Sequence, residues 1–390
     1  MGDLMRGVLG PYAMTRDSSG TSWQPDASVH MGLHHMAGEW MLMGHALLNG
    51  VYDWQEGPRG DRKAFVSGML MGVARRAYPG GNVLQLRAML SPDPLMGKSG
   101  LPLLLQTGET ANGITPLVDR QHPHDLFVEM SASYSHPLSA RDTLFVYAGL
   151  PGEPAFGPPA FMHRLSVMDS PEPPITHHWL DSTHIVFGVV TAGFVHADWK
   201  LELSRFRGRE PDQFRSNIET GPLDSTAARI SWNPASTLSL QLSWADLMHP
   251  EQLHPDENQR KWSVSSIYTR PFRGAYWWST TLAWGRRSSG PGWLNAYAIE
   301  SALEVNASWT GFVRGERVDN DELIQEAGSN GPAFTVSKLS LGVIRDFPLA
   351  GRAKLGVGAQ YAFNFVPQGL SLLYGGSPQG AMAFVRLRVE

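Results

Sequence analysis

Sixteen segments that read as β-strands follow one another from Trp40 to the C-terminus, and the connections between them alternate in length. After the odd-numbered segments the gaps are long and polar: Gln55 to Lys63, Pro92 to Asp125, Pro151 to Thr183, Arg207 to Leu223 and Ala245 to Arg260. After the even-numbered ones stand breaker clusters, Tyr78-Pro79-Gly80-Gly81, His136-Pro137-Leu138, Asn233-Pro234, Pro271-Phe272-Arg273-Gly274 and Asp346-Phe347-Pro348, which carry the residues tight turns need. No linker interrupts the series, so one continuous all-β architecture suits the 390 residues better than two or three soluble domains. The rhythm is that of a transmembrane antiparallel β-barrel with short periplasmic turns and long extracellular loops. It predicts a barrel over 39–390 and an N-terminal periplasmic or plug segment over 1–38.

Face by face, the strands support this. Trp199, Leu201 and Leu203 oppose Lys200, Glu202 and Ser204; Leu238, Leu240, Leu242 and Trp244 oppose Ser239, Gln241 and Ser243; Ala353, Leu355, Val357, Ala359 and Tyr361 oppose Lys354, Gly356, Gly358 and Gln360. A membrane barrel turns the apolar set outward and the polar set into its lumen. Segments such as Trp40 to Trp54 and Leu294 to Val305 reach the roughly 9–11 residues that a tilted spanning strand needs, whereas soluble strands average about 5–6. Aromatics near strand ends, Trp40, Tyr52, Trp54, Tyr147, Trp199, Trp232, Trp244, Trp262, Tyr276, Trp284 and Tyr361, fit an interfacial girdle. A soluble sandwich or propeller is the alternative source of such aromatics.

The chain has no cysteine, which removes disulfides, thiolate ligands and thiol nucleophiles. A net charge of −4 without a basic patch argues against nucleic acid as a partner. No apolar run reaches the roughly 20 residues of a spanning helix, and a barrel needs none. Met1-Gly2-Asp3-Leu4 lacks a charged region followed by an apolar one, so an exported chain is expected to have lost a signal peptide. The expected location is the outer membrane of a Gram-negative bacterium, with outer-membrane lipid and small solutes or metal ions as partners.

Eleven of the sixteen methionines precede residue 100. They stand beside histidines in His30-Met31-Gly32-Leu33-His34-His35-Met36 and Met41-Leu42-Met43-Gly44-His45. Thioether and imidazole together suit Cu(I). Strand parity points Met41, Met43 and His45 into the lumen, where Met69, Met71 and Met89 could join them; gap-filling by a flexible side chain is the plainer explanation of such methionines. Half of the 14 histidines lie between Asp119 and His184, in and beside the two longest connections. His122-Pro123-His124-Asp125, His163, His177, His178 and His184 have the residue types of a metal site with carboxylate support. The same residues would serve to tie a long loop to the inner wall, since buried polar groups must find partners. The candidate metal ligands are therefore His30, Met31, His34, His35, Met36, His122, His124, Asp125, His163, His177, His178 and His184. The ion would be copper or zinc, and no cofactor is required.

Catalysis is not expected. Asp181, Ser182 and His184 have triad residue types, and on a strand Ser182 and His184 would share a face, but adjacency in sequence is not triad geometry. No Gly-x-Ser-x-Gly elbow or HExxH spacing occurs.

Several stretches resemble a family of largely uncharacterised proteobacterial outer-membrane proteins: Gly10-Pro11-Tyr12-Ala13-Met14-Thr15-Arg16, Gly20-Thr21-Ser22-Trp23-Gln24-Pro25-Asp26, Leu95-Met96-Gly97-Lys98-Ser99-Gly100, Asp119 to Asp125, Gly152-Glu153-Pro154 through Met162-His163-Arg164, His177 to His184, and Gly208-Arg209-Glu210-Pro211-Asp212. The resemblance implies an outer-membrane barrel. Such proteins tend to be encoded near copper and heavy-metal efflux systems, which implies a connection to metal; no functional residue carries over. Three functions follow as expectations. The first is a porin-like channel or passive transporter, its lumen lined by Glu129, Glu202, Glu300 and Glu304 and by Lys338, Lys354, Arg386 and Arg388, whose opposed charges would set selectivity. The others are a metal-binding barrel without conduction, and a structural or partner-binding barrel with a blocked lumen.

Overall fold

The computed structural model describes residues 6–29, 31–272, 276–290, 292–306, 308–324 and 331–389. Strand β1 (Leu33–Ala37) is a short hairpin arm on β2 (Trp40–Gln55), which leads to β3 (Arg62–Ala77) and β4 (Val83–Leu90). The chain then makes an inner hairpin, β5 (Leu101–Thr110) and β6 (Pro116–Gln121), that forms its own two-stranded sheet. From there the wall resumes with β7 (Phe127–Pro137), β8 (Asp142–Gly149), β9 (Val189–His196), β10 (Trp199–Phe206), β11 (Ser225–Ala235), β12 (Leu238–Leu247) and β13 (Gln259–Pro271). It ends with β14 (Trp277–Ser289), β15 (Gly292–Val305), β16 (Trp309–Asn320), β17 (Phe334–Pro348), β18 (Ala353–Phe365) and β19 (Gln379–Val389). Antiparallel pairing of β19 with β2, from Gly380 opposite Gln55 to Val389 opposite Ala46, closes a sixteen-stranded barrel.

Period-2 alternation explains both faces. On β10, Leu201 and Leu203 are 50% and 56% exposed on the outside, while Lys200 and Ser204 are fully buried inside. Leu282, Ile299, Leu341, Val343, Val357 and Val385 continue the exposed apolar band around the barrel. So much apolar surface on one continuous belt is the mark of a lipid-facing wall. Trp199 and Trp232 stack on that outer face, with ring centroids 4.7 Å apart.

Four local readings need correction. Tyr147 belongs to no girdle: it points inward, 1% exposed, and donates to Glu129 Oε1 at 3.0 Å. Asn233-Pro234 lies within β11, where the pairing shifts register between Trp232 and Ala235, and the turn falls at Ser236-Thr237. Proline removes a ladder donor, so the strand takes it at an irregularity. The alternation of connections has one break, because Ser289 pairs directly with Gly292 and the odd connection there is tight. Ser182–His184 is a short helical turn and not a strand, so Ser182 and His184 do not share a strand face.

The two longest connections do not stand outside the wall. Segments 91–126 and 150–188 fold into the barrel, with Leu103, Leu104, Phe156 and Leu180 buried at its centre. From the tight-turn end, segment 6–29 also packs against the inner wall: Arg229 donates to Thr21 Oγ1 at 2.9 Å, Ser135 to the Val8 carbonyl at 2.6 Å, and Asn233 to the Gln24 carbonyl at 2.9 Å.

Candidate functional site

Charge complementarity holds the loop 150–188 against the wall. Arg164 on the loop donates to Glu300 of β15 through Nε (2.8 Å) and Nη2 (2.7 Å), and to Asp181 through Nη1 at 2.6 Å. Glu172 accepts from Arg314 (2.8 Å), Ser340 (2.9 Å) and Lys338, whose Nζ lies 2.8 Å away. Asp169 pairs with Arg386, and Arg386 also reaches Asp346 at 3.0 Å. Burial by itself would raise the Asp169 and Glu172 carboxyls; the wall cations outweigh it and hold both below the ordinary range. Glu129, Glu202, Glu300, Lys338, Arg386 and Arg388 all point inward, as strand parity predicts, but they are buried. Instead of facing each other across open solvent, these charges meet partners on the loop or on strands one or two places along the wall.

Where the two inserted loops meet, five imidazoles gather, three of them, His124, His177 and His184, against Phe161. His122 and His124 come from the end of the first loop, and His177, His178 and His184 from the second. Ring centroids are 4.9 Å apart for His177 and His184, 5.2 Å for His124 and His184, 5.5 Å for His177 and His178, and 6.1 Å for His122 and His178. Four of the rings are oriented by an oxygen: His124 Nδ1 by Asp93 (2.8 Å), His177 Nδ1 by the Asp181 carboxylate (2.7 Å), His184 Nδ1 by the Asp181 carbonyl (2.7 Å), and His122 Nε2 by Glu109 (3.1 Å). Burial, then neighbouring cations and imidazoles, pushes His122, His178 and His184 well below the ordinary histidine range. The Nε2 atoms of His124, His178 and His184 are buried without a hydrogen-bond partner among the described residues. Yet no group of three imidazole or carboxylate side chains among the described residues is arranged to hold a metal ion.

The sequence candidates therefore divide. His122, His124, His177, His178 and His184 come together. Asp125 does not join them; it pairs with Arg215 at 3.3 Å, and burial raises its carboxyl to about 7. His163 faces away from this cluster into a second compartment, a cavity of about 130 Å³ that Met31 and His34 also line. His35 and Met36 are exposed on β1, and His30 lies outside the described residues. Ser182 Oγ accepts from Lys261 Nζ at 2.9 Å, while His184 Nδ1 is bound to the Asp181 carbonyl. The orienting residues Asp93 and Glu109, and the central Phe161, carried no signal in the sequence, because each acts only through long-range contact.

No family model matches the chain, and no curated protein matches its sequence. Solved structures do match its shape. OmpF of Salmonella typhi, determined in complex with daunomycin, superposes with a TM-score of 0.57 at 10% identity, over 91% of this chain and 100% of that one. OprB of Pseudomonas putida, in its high-pH structure, gives 0.53 at 9% identity, over 89% of this chain and 94% of that one. For OmpT of Vibrio cholerae the values are 0.50 and 9%, over 91% and 100%. At such identities the likeness is one of fold: the chain is a closed sixteen-stranded barrel of the porin type.

Proposed function

We propose that this protein is an outer-membrane, porin-type channel for small solutes or ions, held shut in the conformation seen here by its own inserted loops. The lipid-facing apolar belt and the porin-type fold support the membrane setting. The observation that carries the closed state is Glu172, which the loop places between Arg314 and Lys338 of the wall with all three side chains buried. A porin constriction leaves its charges to solvent and permeant ions; here loop and wall consume each other's charge. Opening therefore requires the loop to leave those cations.

Planar-bilayer recording tests this reading. The unmodified chain is expected to give small or rare steps in salt. The variant Asp169→Asn with Glu172→Gln, which removes the loop's anionic anchors at nearly constant volume, is expected to give larger and more frequent ones. Silence from both, in protein whose gel mobility shows a folded barrel, would overturn the channel reading.

A further inference from the structure

The cavity into which His163 faces has an unusual lining. Seven methionines, Met14, Met31, Met41, Met43, Met69, Met71 and Met168, surround about 130 Å³ together with His34, His45 and His163. They arrive from four places: the N-terminal segment, β2, β3 and the inserted loop. Register explains the wall portion. His34 stands opposite Met43 and His45 opposite Met71, and cross-strand partners share a face.

Gap-filling does not account for this. Methionine is used where a flexible side chain closes irregular space, but seven of them here leave a volume several times the roughly 10–15 Å³ that a water needs. A cavity that merely stays dry is lined by leucine, isoleucine and phenylalanine. Thr15, Asp17, Ser18, Gln24 and Gln85 also line the cavity, but Thr15 donates to the Asp26 carbonyl and Gln24 to the carbonyls of Thr15 and Asp17. Thioethers are weak acceptors, and their distinctive chemistry is as soft ligands. His163 adds a nitrogen: its Nε2 is buried with no hydrogen-bond partner among the described residues, and burial drops its pKa to about 3, so the ring is neutral.

The charged groups at the cavity are already engaged. Arg75 donates to the Arg6 carbonyl at 2.5 Å, and Arg87 to the Ser18 carbonyl at 3.2 Å and Glu129 at 3.4 Å. Asp17 accepts from the Val8 N–H and the Tyr12 hydroxyl, both at 2.8 Å. Hard divalent cations need several carboxylate or carbonyl oxygens, which this lining does not offer. Nearby arginines further favour low ionic charge. Exposed Met36 on β1 stands opposite Met41, which puts a surface thioether beside the chamber's lining at the tight-turn end of the barrel.

We propose that this chamber binds a soft monovalent metal ion, Cu(I) or Ag(I), through methionine thioethers completed by an imidazole of His163 or His45. The proposal does not depend on whether the barrel conducts.

The test uses the full chain folded in detergent, with Cu(I) kept reduced by ascorbate and, separately, redox-inert Ag(I). X-ray absorption reads the ligand atoms, and competition against a chromogenic Cu(I) chelator reads affinity. The expected result is a sulfur-dominated shell, with affinity falling at least tenfold in Met41→Leu/Met43→Leu/Met71→Leu. Leucine nearly preserves volume there, and gel mobility verifies the fold. Met130→Leu on the outer face and His178→Gln in the loop cluster are expected to retain affinity. Failure of the unmodified chain to bind either ion, a shell of nitrogen alone, or unchanged affinity in the triple variant would overturn the proposal.

Discussion

Phe161 and His163 stand at the two ends of one three-residue helical turn and face different compartments. Phe161 packs on His124, His177 and His184, with ring centroids 5.9, 5.6 and 6.3 Å away. His163 lines the methionine chamber. The inserted loop is thus a partition between an imidazole cluster and a thioether chamber.

That fixation rests on buried ion pairs. In Glu300→Ala, Arg164 loses its bidentate partner and keeps only Asp181 as a carboxylate ligand. Breaking a buried pair by deleting one member costs about 3–5 kcal/mol. Limited proteolysis is expected to cut within 150–188 in the variant and to spare the parent; equal resistance would show that the pair does not hold the loop.

Gly108 makes room for the imidazole cluster. Its φ is +113°, and a Cβ there would lie 2.1 Å from His178 Cε1. Gly108→Ala is therefore expected to displace His178 and to add backbone strain of at least about 1 kcal/mol. Loss of the His178 environment, read by imidazole NMR shifts, is the check.

Acidification should loosen the loops. Because burial lowers the folded pKa of His122, His178 and His184, the unfolded chain binds more protons below about pH 6.5, where free histidine titrates. Stability from these groups is complete above that pH and is lost as pH falls below it. Lys261, Arg287 and His177 repel the protonated form of His178; His177 and His124 repel that of His184; Asp181 opposes both effects. Asp125 and Glu153, raised by burial to about 7 and about 8, act in the opposite direction as pH rises above the ordinary carboxylate range. The difference between parent and variant isolates the histidines: His178→Gln/His184→Gln should lose less stability than the parent between pH 7.5 and 5, measured by urea midpoint. An equal loss contradicts the assignment.

Leu203 tests the lipid face. It lies on the outside of β10, between inward Glu202 and Ser204. Leu203→Arg is expected to cost about 2–4 kcal/mol near the membrane midplane, in urea unfolding from lipid vesicles, and a neutral result would move this strand out of the membrane.

The wall was legible in the sequence because its signals are local: alternation such as Trp199-Lys200-Leu201-Glu202 and breakers such as Pro79-Gly80-Gly81 act within a few residues. Tyr147 escaped that reading, since an aromatic at an inward position looks like a girdle residue until Glu129 is known to be beside it. The paths of the long loops were not legible. Arg164 and Glu300 are 136 positions apart, and Glu172 and Lys338 farther still, so their pairing leaves no periodic trace. Strand parity put Met41, Met43 and His45 on one side, but only the folded loop brings His163 and Met168 to them.

The most direct test of closure by the loop exploits the absence of native cysteine. Ser166 Oγ on the loop lies 2.7 Å from Thr281 Oγ1 on β14. Conductance of Ser166→Cys/Thr281→Cys, placed in the Asp169→Asn/Glu172→Gln background, should show steps when reduced and none when oxidised. Equal conductance in both redox states, with the disulfide verified by mass, would contradict the claim that this loop closes the barrel.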